Sequence, residues 1–282
     1  MIGSSLNRRH WMELIAVSIG SMSALRAAHA LPAAAGSSFI EELTWTELRD
    51  RVAAGSTTLL VPVGGTEQSG PHMVLGKHNV RVRSLAGQIA QALGNALVAP
   101  VIAHVPEGQL HPPSSHMRYP GTISIPDTTF EALLEATARS LALHGFRHIV
   151  FLGDHGGYQT NLERVAARLE REWARQPRAA GVPGAHAHAL PEYYRATQTA
   201  YVAELERQGY SRAQIGIHAG LADTALALAI DPALVRQDQL AHTAPDAAGV
   251  TGDPRQATAA LGRAGVRAVV DASVAAIRRL TR

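Results

Sequence analysis

Apolar and polar positions change their period several times along the chain. Residues 57–63 (TTLLVPV) form a β-branched, apolar run of the length of a buried strand. Residues 80–93 space their apolar positions at helical intervals and close on Gly94-Asn95, which predicts a helix with a glycine stop. The switch then repeats. Strands are predicted at 96–103, 121–125, 147–153 and 185–190, and helices at 126–144, 158–173, 191–208, 222–229 and 256–279. Upstream, Thr44-Trp45-Thr46-Glu47 reads as a capping box for a helix that stops at Gly55. Strands alternating with helices predict an α/β fold: a single layered domain with a largely parallel central sheet flanked by helices.

In such folds ligands bind beyond the carboxyl ends of the strands. Two loops take that position here. Residues 64–79 (GGTEQSGPHMVLGKHN) follow the first strand and carry Glu67, His72 and His78. Asp154-His155-Gly156-Gly157 follows the strand at 147–153. Histidine with carboxylate on two adjacent strand ends is the donor chemistry of an open catalytic metal site, which holds about three N/O ligands and a water. A third loop, residues 104–120, contains four prolines and three histidines. Its His111, His116 and Arg118 are candidates for substrate contact.

Composition narrows the function. The chain has 282 residues, a formal charge of +3 and 14 histidines. No stretch concentrates Lys and Arg with aromatics, so nucleic-acid binding is not indicated. With no cysteine, disulfides, Cys-ligated zinc and thiol nucleophiles are excluded. Residues 1–38 have the layout of a twin-arginine export signal: Arg8-Arg9, an apolar stretch over 14–25 too short for a permanent membrane span, and Ala-Ala-His-Ala before a cleavage point after Ala30. A periplasmic or secreted protein is expected, with the working domain over 39–282.

"VPVGGTEQSGPHMVLGKHN", "RYPGTISI", "HGFRHIVFLGDHGG" and "HAGLADTALALA" occur in order, and with them the chain from about residue 44 to its end resembles the creatininase (creatinine amidohydrolase) family. The resemblance implies an α/β hydrolase of C–N bonds in cyclic or linear amides. It also implies a homo-oligomer, hexameric in many members, and a pair of divalent ions. The ligand positions carry over unevenly. Glu67 and His155 match. Ser69 stands where the family has a second-metal histidine, and His78 where it has the aspartate that bridges both ions. Gly157 and Leu221 occupy the two sources of a second-metal glutamate. An imidazole cannot bridge two ions through one nitrogen, so the resemblance, corrected for these departures, implies one ion. Zn²⁺ is favoured over Mn²⁺ or another divalent ion, with Glu67, His78 and His155 as ligands. His218 matches the family's proton donor to the departing amine. Asp223 is expected to orient a ligand, act as base or cap its helix. Asp154 is expected to fix an imidazole tautomer, and Lys77 to point outward or bind an anionic substrate group. Hydrolysis of a lactone or ester on the same site, or ligand binding without turnover, are the alternatives.

Overall fold

The computed structural model describes residues 36–175 and 184–282. The export segment expected over 1–38 lies, but for its last three residues, outside them, as does most of the linker at 176–184. One compact unit runs from Ser38 to Arg282. Among the described residues no helix is long and apolar enough to cross a membrane.

The elements follow in the order α1 (Trp45–Ala53), β1 (Thr58–Val63), α2 (Lys77–Leu93), β2 (Ala96–Val98), α3 (Asp127–Leu143), β3 (His148–Gly153), α4 (Gln159–Arg175) and β4 (His186–Ala189). Beyond β4 the chain is helical: α5 (Pro191–Gln198), α6 (Ala200–Arg207), α7 (Arg212–Ile215), α8 (Leu221–Ile230), α9 (Gln237–His242) and α10 (Ala259–Leu280). All four strands are parallel, in the order β2-β1-β3-β4. The chain leaves β1 for β2 on one side and for β3 on the other, so the sheet order reverses at β1/β3. That crevice is where an open parallel sheet takes its ligands.

Side chains on a strand alternate between faces, and the core divides accordingly. Leu59, Val61, Ile149 and Phe151 pack with Phe130 and Leu134 of α3 and with Leu162 and Val165 of α4. Leu60, Val150 and Leu152 pack on the opposite face with Val82 and Leu85 of α2, Tyr193 of α5 and Val269 and Ile277 of α10. A sheet buried on both faces needs continuous apolar strands, which explains the unbroken run in β1. The predicted capping box is present: the Thr44 hydroxyl accepts from the Glu47 amide, and Glu47 accepts from Thr44 N.

Four elements differ from the sequence reading. The strand predicted at 96–103 ends at Val98. Ala99 N to Leu60 O (2.9 Å) keeps the register, but past Pro100 the bonds Ile102 N to Pro62 O (3.0 Å) and Gly64 N to Ile102 O (2.9 Å) run alongside β1 one residue out of step, so the ladder bulges there. Residues 121–125 form no strand; Ser124 makes a single bridge with Val105. The helix predicted over 191–208 breaks at Thr199 (φ −121°, ψ −82°), whose hydroxyl donates to Arg195 O at 2.8 Å and competes with the helical ladder. The helix expected from residue 80 starts at Lys77 instead, which brings Lys77, His78 and Arg81 into one helical turn.

α8 and α10 meet at Gly262, where an added Cβ would lie 1.8 Å from the Ala225 carbonyl oxygen. Gly262→Ala gains about 1 kcal/mol of helix propensity but forces the two backbones apart. A net loss of about 1–3 kcal/mol is expected, read as a lower urea midpoint with an unchanged slope.

Candidate active site

The two strand ends that the sequence singled out lie side by side. β1 and β3 pair through Val63↔Gly153, and Asp154 N donates to Val63 O at 3.0 Å. The buried Tyr158 hydroxyl ties them further. It accepts from the amides of Asp154 and His155 (3.1 Å each) and offers its proton to the carbonyls of Val63 (2.8 Å) and Gly64 (2.7 Å). The Glu67 loop and the His155 turn are therefore held as one unit.

Glu67 is fully buried and is the centre of the site. His78 Nε2 lies 2.8 Å from its Oε1, with Lys77 Nζ at 3.9 Å and His218 Nδ1 at 3.8 Å from the same oxygen. His116 Nε2 at 3.2 Å and His155 Nε2 at 3.6 Å face its Oε2. On the far side of His155, Glu107 Oε2 lies 3.6 Å from Nδ1. Glu67, Glu107, His116 and His155 each offer a ligand atom within 4.8 Å of the others. Glu67 Oε2 and both Glu107 oxygens are buried without a hydrogen-bond partner. Buried carboxylate oxygens left bare are costly, and a cation is the group that satisfies several at once.

Electrostatics agree with the geometry. Burial, then the negative charge of Glu67, push Glu107 up to about 9. Burial works against ionisation of Glu67 as well, but His78, Lys77 and His155 outweigh it and hold that carboxyl well below the ordinary range. Burial lowers His155 to about 3 and His218 to about 4, so both rings are neutral, with His155 Nδ1 taking the Gly157 amide at 3.4 Å.

A second, denser network lies behind Glu67. Arg81 donates from Nε to Asp154 Oδ2 (2.8 Å) and from Nη1 to Asp223 Oδ1 (2.6 Å). Asp154 also takes His78 Nδ1 at 2.6 Å and the Tyr193 hydroxyl at 2.8 Å. Asp223 also takes the Lys77 ammonium and Ala219 N (2.9 Å). Both aspartates are held below the ordinary carboxylate range despite burial, Asp154 chiefly by Arg81 and Asp223 by Lys77 and Arg81.

The expected residues therefore converge, with different neighbours than expected. Glu67, His78 and His155 share one pocket, but both nitrogens of His78 face carboxylate oxygens. His218 joins them across the pocket. Asp154 and Asp223 have every carboxylate oxygen engaged, so they position neighbours. Lys77 does not point outward: it is 1% exposed and locked against Asp223. His72 is buried, with Nε2 2.9 Å from the Thr224 hydroxyl, which makes it structural. His111 and Arg118 are exposed, whereas His116 turns into the site.

Glu107 was missed altogether. It sits in "VPEG" inside a proline-broken loop, and no local spacing ties it to Glu67, 40 positions earlier. Gln68 was missed as well. Gly70 N donates to its Oε1 (3.0 Å), which fixes its Nε2 as the donor. That nitrogen lies 3.1 Å from His116 Nδ1 and 3.1 Å from His218 Nε2. His116 consequently keeps its proton on Nε2, facing Glu67. A solvent-open pocket lined by Tyr194, Thr197, Ile217 and His218 reaches His78 and His155.

A parallel α/β sheet with bare carboxylates and neutral imidazoles at its reversal crevice defines a metal-dependent hydrolase. The family model described as creatinine amidohydrolase matches residues 41–277, and the chain belongs to the creatininase family. It is 30% identical over 210 residues to the creatinine amidohydrolase of Pseudomonas putida, covering 73% of this chain and 77% of that one. To the mycofactocin precursor peptide peptidase of Mycobacterium ulcerans (strain Agy99) it is 32% identical over 240 residues, covering 79% and 86%. Among solved structures, a creatinine amidohydrolase (creatininase) superposes with a TM-score of 0.70 at 27% identity, covering 86% of this chain and 97% of that one. A creatininase described as the Mn form gives the same TM-score and identity, covering 86% and 98%.

Among the described residues, Arg81 is the cation that bridges the buried Asp154 and the partly buried Asp223. Arg81→Met leaves both carboxylates underpaired, and a loss of about 3–5 kcal/mol is expected, measured by denaturant unfolding at neutral pH.

Proposed function

We propose that this protein hydrolyses the C–N bond of a cyclic or linear amide with one divalent ion at this site, Zn²⁺ in preference to Mn²⁺. The observation that carries the reading is the set of bare, buried oxygens on Glu67 and Glu107 beside the neutral His155. Two carboxylates and an imidazole form an open ligand set that suits zinc. Glu107 takes the place first expected for His78, whose nitrogens are used by Glu67 and Asp154. Glu67, Glu107 and His155 would hold the ion, which would supply Lewis-acid activation of a water and of a carbonyl.

The count of one follows from fixed charge. A second ion on Glu67 Oε1 would sit against Lys77 Nζ, 3.9 Å from that oxygen. Two cations held within a few ångströms of one another repel, which disfavours that second position. Ser69 and Leu221, both fully buried, offer it no adequate ligand.

The chain's own groups do the remaining work. His218 Nε2 is turned to Gln68, 3.1 Å from its side-chain nitrogen and 3.0 Å from its carbonyl, so Nδ1 is the nitrogen that faces the pocket and is placed to pass a proton to the departing nitrogen. His116 presents an N–H to the same space. Asp223 holds Ala219 N and so sets the loop that carries His218. Export through the twin-arginine route and assembly as a homo-oligomer belong to the same reading, and cell fractionation and light scattering check them.

The test compares metal content and turnover of amides and lactones for the wild type and single variants. His155→Ala and Glu107→Gln are each expected to remove one equivalent of metal and at least ~100-fold of kcat/KM on an amide. If His78→Ala removes the metal while Glu107→Gln keeps it, the ligand set is wrong. Loss of two equivalents in His155→Ala would overturn the single ion. Turnover of lactones without amides would favour the ester-type alternative.

A further inference from the structure

Of the four side chains that offer ligand atoms around one point, two are histidines, His116 and His155, and they are held differently. Gly70 N donates to Gln68 Oε1 at 3.0 Å, which turns Gln68 Nε2 towards His116 Nδ1 at 3.1 Å. Gly249 packs so closely on the same Oε1 that a Cβ there would overlap it, so the amide is wedged in this orientation. An amide nitrogen only donates. His116 Nδ1 therefore accepts, and the ring proton sits on Nε2. The other edge of the ring agrees, because Nε2 lies 3.2 Å from an acceptor, Glu67 Oε2. A doubly protonated ring would set its Nδ1–H against the Gln68 donor.

His155 is under no such constraint. Its Nδ1 lies between a donor, the Gly157 amide at 3.4 Å, and an acceptor, Glu107 Oε2 at 3.6 Å, so neither tautomer is imposed. A metal ligand needs a bare lone pair on the nitrogen that faces the ion. His155 can present one. His116 cannot, because its lone pair is spent on Gln68 and its other nitrogen carries the proton.

That proton is not spent on Glu67. Glu67 Oε2 has no hydrogen-bond partner, so the His116 N–H stands beside this oxygen without being aimed at it. The His116 ring meets His155 edge-on, with centroids 5.7 Å apart, and lies tilted against His218 at 4.6 Å. It thus touches one ring on the metal side and one on the proton-transfer side. An amide carbonyl that is attacked from the first side and releases its nitrogen to the second lies across that gap. Its oxygen gains negative charge during attack, and a fixed N–H beside it gains strength at the same moment.

We propose, on the hydrolase reading above, that His116 is a catalytic hydrogen-bond donor to the substrate's carbonyl oxygen and not a metal ligand, and that Gln68 is the positioning residue that fixes its tautomer. The loop at 104–120 then supplies both a metal ligand, Glu107, and the group that steadies the carbonyl.

Long-range ¹H–¹⁵N NMR of full-length, chelator-treated protein reads the tautomer without metal or turnover. The wild type should show His116 protonated on Nε2. Gln68→Glu, nearly the same shape, sets a carboxylate against Nδ1 and should move the proton there. His116→Ala should keep its equivalent of metal and lose ~100-fold or more of kcat on an amide, with KM little changed. His116→Gln, which still offers an N–H, should recover ~10-fold of that loss. Gln68→Glu should lower kcat as well, again without loss of metal. A wild-type proton on Nδ1, or loss of the metal equivalent in His116→Ala, would overturn the proposal even where amides are turned over. No amide turnover by a wild type that keeps the proton on Nε2 would instead sink the hydrolase reading and the carbonyl contact with it. Circular dichroism of each variant confirms that it folds.

Discussion

The Arg81 guanidinium, clamped between Asp154 and Asp223, is the interaction on which the catalytic end of this protein depends. Asp154 leaves the end of β3, Asp223 lies in the first turn of α8, and Arg81 reaches both from α2. Three elements distant in sequence meet on one charge. Remove that charge and the buried Asp154 and partly buried Asp223 both lose their shared counter-charge. His78, Lys77, Tyr193 and the Ala219 amide all take their positions from the same two aspartates.

This network also sets which charges surround Glu67. Lys77, His78 and Arg81 arrive together in the first turn of α2 and bring fixed positive charge and N–H donors close to Glu67 and the aspartates. Fixed side-chain cations cost no ion-binding equilibrium, but they occupy space that a metal would use. The open cation demand is thereby confined to the Glu67–Glu107 side, where oxygens remain bare.

Much of this was legible in the sequence because the relevant signals are local. Strand and helix periods, the capping box at Thr44, the glycine stop at Gly94 and the two strand-end loops follow from neighbours within a few residues. Glu67, His155 and His218 were reachable because motif order carried them. Glu107, Gln68 and the inward turn of His116 were not. Their roles rest on contacts across 40 to 150 positions, for which one chain offers no periodicity. Lys77 misled for a related reason: a lysine in a loop reads as solvated, and only its pairing with Asp223, 146 positions on, makes its burial tolerable. Thr199 and Pro100 show the smaller failure, in which one residue's backbone chemistry interrupts a pattern that averages over many.

The Tyr158 hydroxyl bears on how the site breathes. It closes four backbone groups of two strand ends around one oxygen, and the ring that carries it is buried against Phe130. The amides of Asp154 and His155 thus have no small opening through which to meet solvent. Deuterium will enter them only when the β1–β3 crossover itself comes apart, so the turn that carries His155 belongs to the slowest-exchanging part of the molecule.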